Sequence, residues 1–103
     1  MKAVGYQKSP PVTDPNVLED ITLDKPQVSG KDLLVKVEAI SMNPVDTKVR
    51  MRAEPEEGEY KVLGWDVAGV VEEVGEEVQL FKKGDKVWYA GAIERSGANA
   101  EYH

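Results

Sequence analysis

Residues 63–88, LGWDVAGVVEEVGEEVQLFKKGDKVW, decide how this chain folds. Val67 to Val74 is rich in β-branched residues, which suit a pleated, half-buried surface, and reads as a strand. Lys83-Gly84-Asp85 reads as a tight turn. Lys86 to Ala90, carrying Val87 and Trp88, reads as the strand after it. The glycines at 64, 69, 75 and 84 lie five, six and nine residues apart. A dinucleotide fingerprint needs G-x-G-x-x-G where a strand enters a helix. That spacing is absent, as is G-x-x-x-x-G-K-[ST], and no helical pattern follows. These glycines are turn and close-packing residues.

Working outward, Leu33 to Ile40 is the clearest strand: Val35, Val37 and Ala39 fall on one face and Lys36 and Glu38 on the other. Met1 to Tyr6 reads as an opening strand. Ser9 to Asn16, with three prolines, reads as a loop. Val17 to Leu23 alternates weakly through Leu18, Ile21 and Leu23, as a second strand would. Pro26 to Asp32 is turn-rich, and Gly30 there supplies a positive φ. Asn43-Pro44 opens a short helix, since Asn suits the N-cap and Pro the first helical position. Val45 and Val49, four apart, give that helix an apolar face, and it ends before Pro55. The acidic segment Ala53 to Glu59 reads as an exposed loop, and Ala98 to Tyr102 as a last strand. Several short strands, glycine turns and little helix predict an all-β, barrel-like domain.

Composition narrows the function. The chain has 103 residues, enough for one domain, with 41% hydrophobic and 31% charged residues. No apolar run approaches the roughly 20 residues of a membrane span, and the first residues carry no signal-peptide core. Both observations predict a cytoplasmic protein without a membrane partner. The net charge is −6, with no basic stripe, so nucleic acid is not an expected partner. Glu56-Glu57, Glu72-Glu73 and Glu76-Glu77 read as solvated faces rather than acid–base pairs. With no cysteine, neither a disulfide nor a cysteine zinc site is possible. The single histidine, His103, reads as a strand residue or the start of an expression tag, not as a ligand.

Gly64-Trp-Asp-Val-Ala-Gly-Val-Val-Glu-Glu-Val-Gly, followed by Phe81-Lys-Lys-Gly-Asp-Lys-Val, resembles the N-terminal domain of the medium-chain dehydrogenase/reductase superfamily, also called GroES-like or alcohol-dehydrogenase-like. Met1-Lys-Ala-Val, Leu34-Val-Lys-Val and Asn43-Pro-Val-Asp-Thr-Lys resemble it too, in the same order. Asn43-Pro-Val-Asp-Thr-Lys is similar to the quinone oxidoreductase branch, whose members are often called zinc-type alcohol dehydrogenase-like proteins. The resemblance implies a mainly β fold, a GroES-like distorted β-barrel with short helices. It also implies that residues 1–103 are a catalytic-domain fragment, with the Rossmann domain that binds most of NADPH missing. Relatives are usually homodimers or tetramers. NADPH or NADH is chosen by a residue of the missing domain.

The zinc-dependent relatives carry cysteine where this chain has Asn43 and histidine where it has Trp65. An amide is a poor zinc ligand and an indole is none, so no zinc is expected. The resemblance then implies reduction of a small-molecule quinone or α,β-unsaturated carbonyl by NAD(P)H. Asn43, Trp65 and Asp46 are the candidate catalytic residues, and Asn43, Pro44 and Lys48 the candidate cofactor-binding residues. Asn43 serves as N-cap, as a cleft residue donating through its amide, or as both. Trp65 offers an indole N–H and an apolar wall, although it and Trp88 read first as core. Asp46 either orients neighbours or completes the first helical turn. Lys48 is either a solvated lysine or one that reaches the cofactor. Asp66 stands near the metal shell of the zinc enzymes. Two alternatives share the fold: a co-chaperonin-like ring subunit, and a free-standing binding module. The first needs a mobile apolar loop, whereas the loop from Glu54 to Glu59 is acidic.

Overall fold

The computed structural model describes residues 1–7, 18–53, 55–56 and 58–103. The loop expected at Ser9 to Asn16 lies outside these residues. In chain order the elements are β1 (Lys2–Tyr6), β2 (Glu19–Thr22), β3 (Leu33–Ser41), α1 (Pro44–Arg52), β4 (Lys61–Val62), β5 (Asp66–Val74) and β6 (Lys86–Ala90).

β5 is the middle strand of a three-stranded sheet, β3-β5-β6, antiparallel throughout. Its alternation buries Val67, Gly69 and Val71. At Gly69 a Cβ would lie 2.3 Å from the Lys36 carbonyl oxygen, so the two backbones meet only because no side chain intervenes. The turn into β6 carries Gly84 at φ 95°, which L-residues rarely adopt. Asp85 closes it, with its N–H donating to the Lys82 carbonyl at 3.1 Å and its side chain accepting from the Lys82 N–H at 3.0 Å.

The second sheet has the order β2-β1-β4. β4 is two residues long and covers only Gly5 and Tyr6 of β1. Residues 98–103 take over the rest of that edge. The Val4 N–H donates to the Asn99 carbonyl at 2.8 Å, and the Glu101 N–H donates to the Lys2 carbonyl at 3.1 Å. The same segment bonds to β3: the Val35 N–H donates to the His103 carbonyl at 2.8 Å, and the Val37 N–H to the Glu101 carbonyl at 2.9 Å. The two sheets are thus joined by one segment through isolated bridges at Ala3–Ala100 and Lys36–Tyr102.

This corrects the expectation of a distorted β-barrel with short helices. The sheets stay open, because no continuous ladder passes from one to the other. β4 is too short to carry one, and residues 98–103 divide their bonds between β1 and β3. One helix, α1, is present among the described residues. The expected last strand at Ala98 to Tyr102 consists of those two bridges.

The core includes Leu34, Val35, Val62, Leu63, Trp65, Val67 and Val71, with Tyr6 wholly buried. Val45 and Val49 of α1 pack on Tyr6, Leu63 and Trp65, as the helical spacing predicts. Trp88 corrects the reading of both tryptophans as core, being 88% exposed. The strand period turns Val87 and Tyr89 inward and leaves Trp88 on the outer face.

The buried Tyr6 hydroxyl reaches the end of α1, 2.5 Å from the Ala53 carbonyl and 3.2 Å from that of Val49. It satisfies the Ala53 carbonyl at the helix end, which the helix cannot pair itself, whereas the Val49 carbonyl already accepts from the Ala53 N–H at 2.8 Å. Tyr6→Phe should therefore destabilise the fold by about 1–2 kcal/mol, lowering the urea midpoint at unchanged m-value. An unchanged midpoint would show that the hydroxyl does not hold the helix.

Candidate functional site

The end of β3, the start of α1 and the start of β5 meet at one place. β3 ends at Ser41, which pairs in register with Asp66, the first residue of β5. Asn43 follows as N-cap of α1 with extended backbone, φ −133° and ψ 164°, and Pro44 is the first helical residue. The Asn43 N–H donates to Asp46 Oδ2 at 2.9 Å, and the Asp46 N–H returns to the Asn43 carbonyl at 3.0 Å. The Asn43 side chain also meets the Asp46 N–H, and with the Asp46 carboxylate on the Asn43 N–H this makes the capping box that stabilises a helix start. Asp46 is 1% exposed, and its Oδ1 has no hydrogen-bond partner among the described residues.

The amide end of the Asn43 side chain turns the other way. Its Nδ2 donates to Asp66 Oδ2 in a short hydrogen bond and makes a longer one, 3.4 Å, to the Ser41 carbonyl. Both neighbours are acceptors, so chemistry alone requires the amide nitrogen on that side. Trp65, next to Asp66 in the chain, is 3% exposed, and its indole N–H is buried without a partner among the described residues. Lys48 and Pro44 are exposed. The structure thus brings Asn43 together with Asp46 and Asp66, puts Trp65 beneath them in the core, and leaves Lys48 in solvent.

A zinc ion does not fit here. Among the described residues no three His, Cys, Asp or Glu side chains converge as a metal would need. The Asn43 amide nitrogen is spent on Asp66, and the Trp65 indole only donates.

A second polar group lies elsewhere, at a pocket of about 350 Å³ lined by residues that include Met1, Leu23, Val35, Tyr89, Arg95 and His103. None of Asn43, Pro44, Asp46, Lys48 or Trp65 lines it. Tyr89 and His103 stack with ring centroids 5.7 Å apart, and the Tyr89 hydroxyl lies 2.7 Å from His103 Nδ1. His103 Nε2 lies 3.0 Å from the Ser96 carbonyl, which can only accept. Nε2 therefore carries the hydrogen and Nδ1 accepts from Tyr89. His103 is thus packed against the fold, although it lies outside any strand. Arg95 pairs with Asp32 through its Nη1 and Nη2, each at 3.1 Å. Sequence reasoning missed the Tyr89–His103 pair; the alternation of β6, which points Tyr89 inward, was the available signal.

Residues 29–102 match the alcohol dehydrogenase GroES-like domain, and the chain belongs to that family. Over 102 residues, 99% of this chain, it is 44% identical to a zinc-type alcohol dehydrogenase-like protein of Staphylococcus epidermidis, of which it spans 30%. A solved Rhizobium etli structure, provisionally named a zinc-dependent alcohol dehydrogenase, superposes with a TM-score of 0.95 at 54% identity, covering 100% of this chain and 30% of that one. The Escherichia coli quinone oxidoreductase solved with NADPH gives a TM-score of 0.83 at 28% identity, again covering 100% of this chain and 30% of that one. The chain spans about a third of the length of these relatives, 30% of each.

Burial lowers the His103 pKa below its ordinary value; the Ser96 hydrogen bond opposes this, and the nearby Arg95 charge adds to it. The folded state therefore favours neutral imidazole. Its stabilising contribution is complete above the unfolded pKa, about 6.5, and is lost as pH falls through the folded value. Burial also pushes the Tyr89 pKa up to about 12, so the contribution of its neutral phenol holds below about pH 10 and fades above it. Thermal melts should show an acid decline beginning near pH 6.5 that His103→Gln flattens. An equal decline in the variant would assign it to other groups.

Proposed function

We propose that the protein carrying this chain is an NAD(P)H-dependent, zinc-independent oxidoreductase that reduces quinones or α,β-unsaturated carbonyls. One observation carries the reading. Two positions that hold zinc ligands in the zinc-dependent relatives are here an amide tied to Asp66 and a buried indole. The likeness to a quinone oxidoreductase solved with NADPH supports it. The names of the more similar relatives favour a second reading, a zinc-type alcohol dehydrogenase-like protein of other carbonyl specificity. The donor chemistry of Asn43 and Trp65 argues against the metal in those names.

In this reading residues 1–103 form the catalytic domain and a Rossmann domain supplies most of the cofactor site. When bound, the nicotinamide supplies hydride. Asn43 and Pro44 form the cofactor-facing edge at the start of α1. The exposed Lys48 ammonium, little more than one turn on, suits a phosphate-bearing ligand. Asp46 holds the helix start through the Asn43 N–H, so that edge is rigid. Trp65 packs beneath it and excludes water. Charge developing on the substrate oxygen is met by solvent or by donors from the cofactor domain. The protein acts in the cytoplasm as a homodimer or tetramer, with no nucleic-acid partner.

The test is NADPH oxidation by the full-length protein with 1,4-benzoquinone and with an enone. Turnover should persist unchanged after exhaustive dialysis against a chelator. Activity lost on chelation and restored by zinc would overturn the metal-free reading.

A further inference from the structure

A carbonyl substrate and a cofactor ask different things of Asn43. Quinones and enones offer only acceptor oxygens and would need a donor. The nicotinamide nucleoside offers donors: its carboxamide N–H₂ and its ribose hydroxyls. The amide of Asn43 can serve one or the other according to how it is turned.

Asp66 decides this. Its Oδ2 accepts from Asn43 Nδ2, and the Ser41 carbonyl stands at 3.4 Å from the same nitrogen. Both amide hydrogens are thereby directed at acceptors on the protein. A flipped amide would set its carbonyl oxygen against a carboxylate and a backbone carbonyl, three acceptors with no hydrogen between them. The backbone around the pair is fixed as well: Ser41 and Asp66 are partners in the β3–β5 ladder, and the Asn43 N–H is held by Asp46 at 2.9 Å. What Asn43 turns away from Asp66 is its Oδ1, which has two lone pairs. The Asp46 N–H in the first turn of α1 faces one of them.

We infer that Asp66 is a positioning residue that presents Asn43 as an acceptor, so that Asn43 takes a hydrogen bond from a donor of the nicotinamide nucleoside and does not donate to the substrate oxygen. The inference rests on the NAD(P)H reading above and narrows it: Asn43 binds cofactor and leaves the oxyanion to other groups. The two sources of the donor, carboxamide N–H and ribose O–H, share the same chemistry and are separable by analogue.

The experiment is calorimetric titration of the full-length protein with NADPH, with the analogue whose carboxamide is replaced by an acetyl group, and with the analogue lacking the nicotinamide-ribose 2′-hydroxyl. Asn43→Ala and Asp66→Ala should each weaken NADPH roughly five- to tenfold with little change in kcat. Asp66→Asn, which keeps an acceptor oxygen for Asn43, should restore most of the affinity. The Asn43→Ala penalty should vanish with the acetyl analogue if the carboxamide is the donor, and with the deoxy analogue if the ribose is. A penalty that survives both analogues, or a fall in kcat at unchanged affinity, would overturn the inference. Asp66→Ala, which leaves the N-cap residue in place, tests the same point should Asn43→Ala fail to fold. If wild-type protein binds no NADPH, the cofactor reading itself falls. If it binds and neither variant matters, the inference falls, the bond from Asn43 together with its positioning by Asp66, while the NAD(P)H reading stands.

Discussion

β5 can occupy the middle of its sheet only because position 69 has no side chain. A Cβ there would meet the Lys36 carbonyl at 2.3 Å, well inside contact distance. That approach helps fix the β3–β5 register, and the register does more than pair backbones. It sets Asp66 opposite Ser41 at the open end of the ladder, where α1 begins. A slip of one residue would turn every β5 side chain to the other face. Asp66 would then leave Asn43, and Val67 and Val71 would leave the core. Sheet packing and the polar cluster thus share one determinant.

The two polar groups of the molecule are built on different principles. Around Asn43 the groups are mostly acceptors, and their arrangement is set by which few hydrogens are available. Asp46 takes the backbone N–H and Asp66 takes the side-chain amide. Around His103 the ring has a donor on one side and an acceptor on the other, so Tyr89 and Ser96 fix a single tautomer. The first arrangement does not depend on histidine protonation. The second holds one charge state and yields when the ring is protonated.

Much of this was legible in the sequence. The alternation of Leu33 to Ile40 and the β-branched run from Val67 to Val74 gave β3 and β5. Asn43-Pro44 gave the start of α1, and the spacing of Val45 and Val49 gave its packed face. Closure was not legible, because whether sheets join depends on ladders between distant segments and not on any local pattern. The position of Trp88 was legible from strand phase, but its size and apolarity outweighed that phase in the reading. Burial of Asp46 and Arg50 escaped notice because polar residues are expected outside, and only tertiary packing brings them in. The orientation of Asn43 depends on a residue 23 positions away and appears only once the register is known.

Residues 98–103 complete an edge that β4 leaves half covered. Lys2 and its partner Glu101 are 99 residues apart in the chain. At a synthesis rate of about 5–20 residues per second, β1 would wait roughly 5–20 s after leaving the peptidyl-transferase centre before that partner exists. In that interval Lys2 to Val4 present unpaired backbone groups along one side of the first sheet. Such an edge invites pairing with other chains. The segment that joins the two sheets in the finished fold therefore also sets how long the nascent chain is exposed to misassembly.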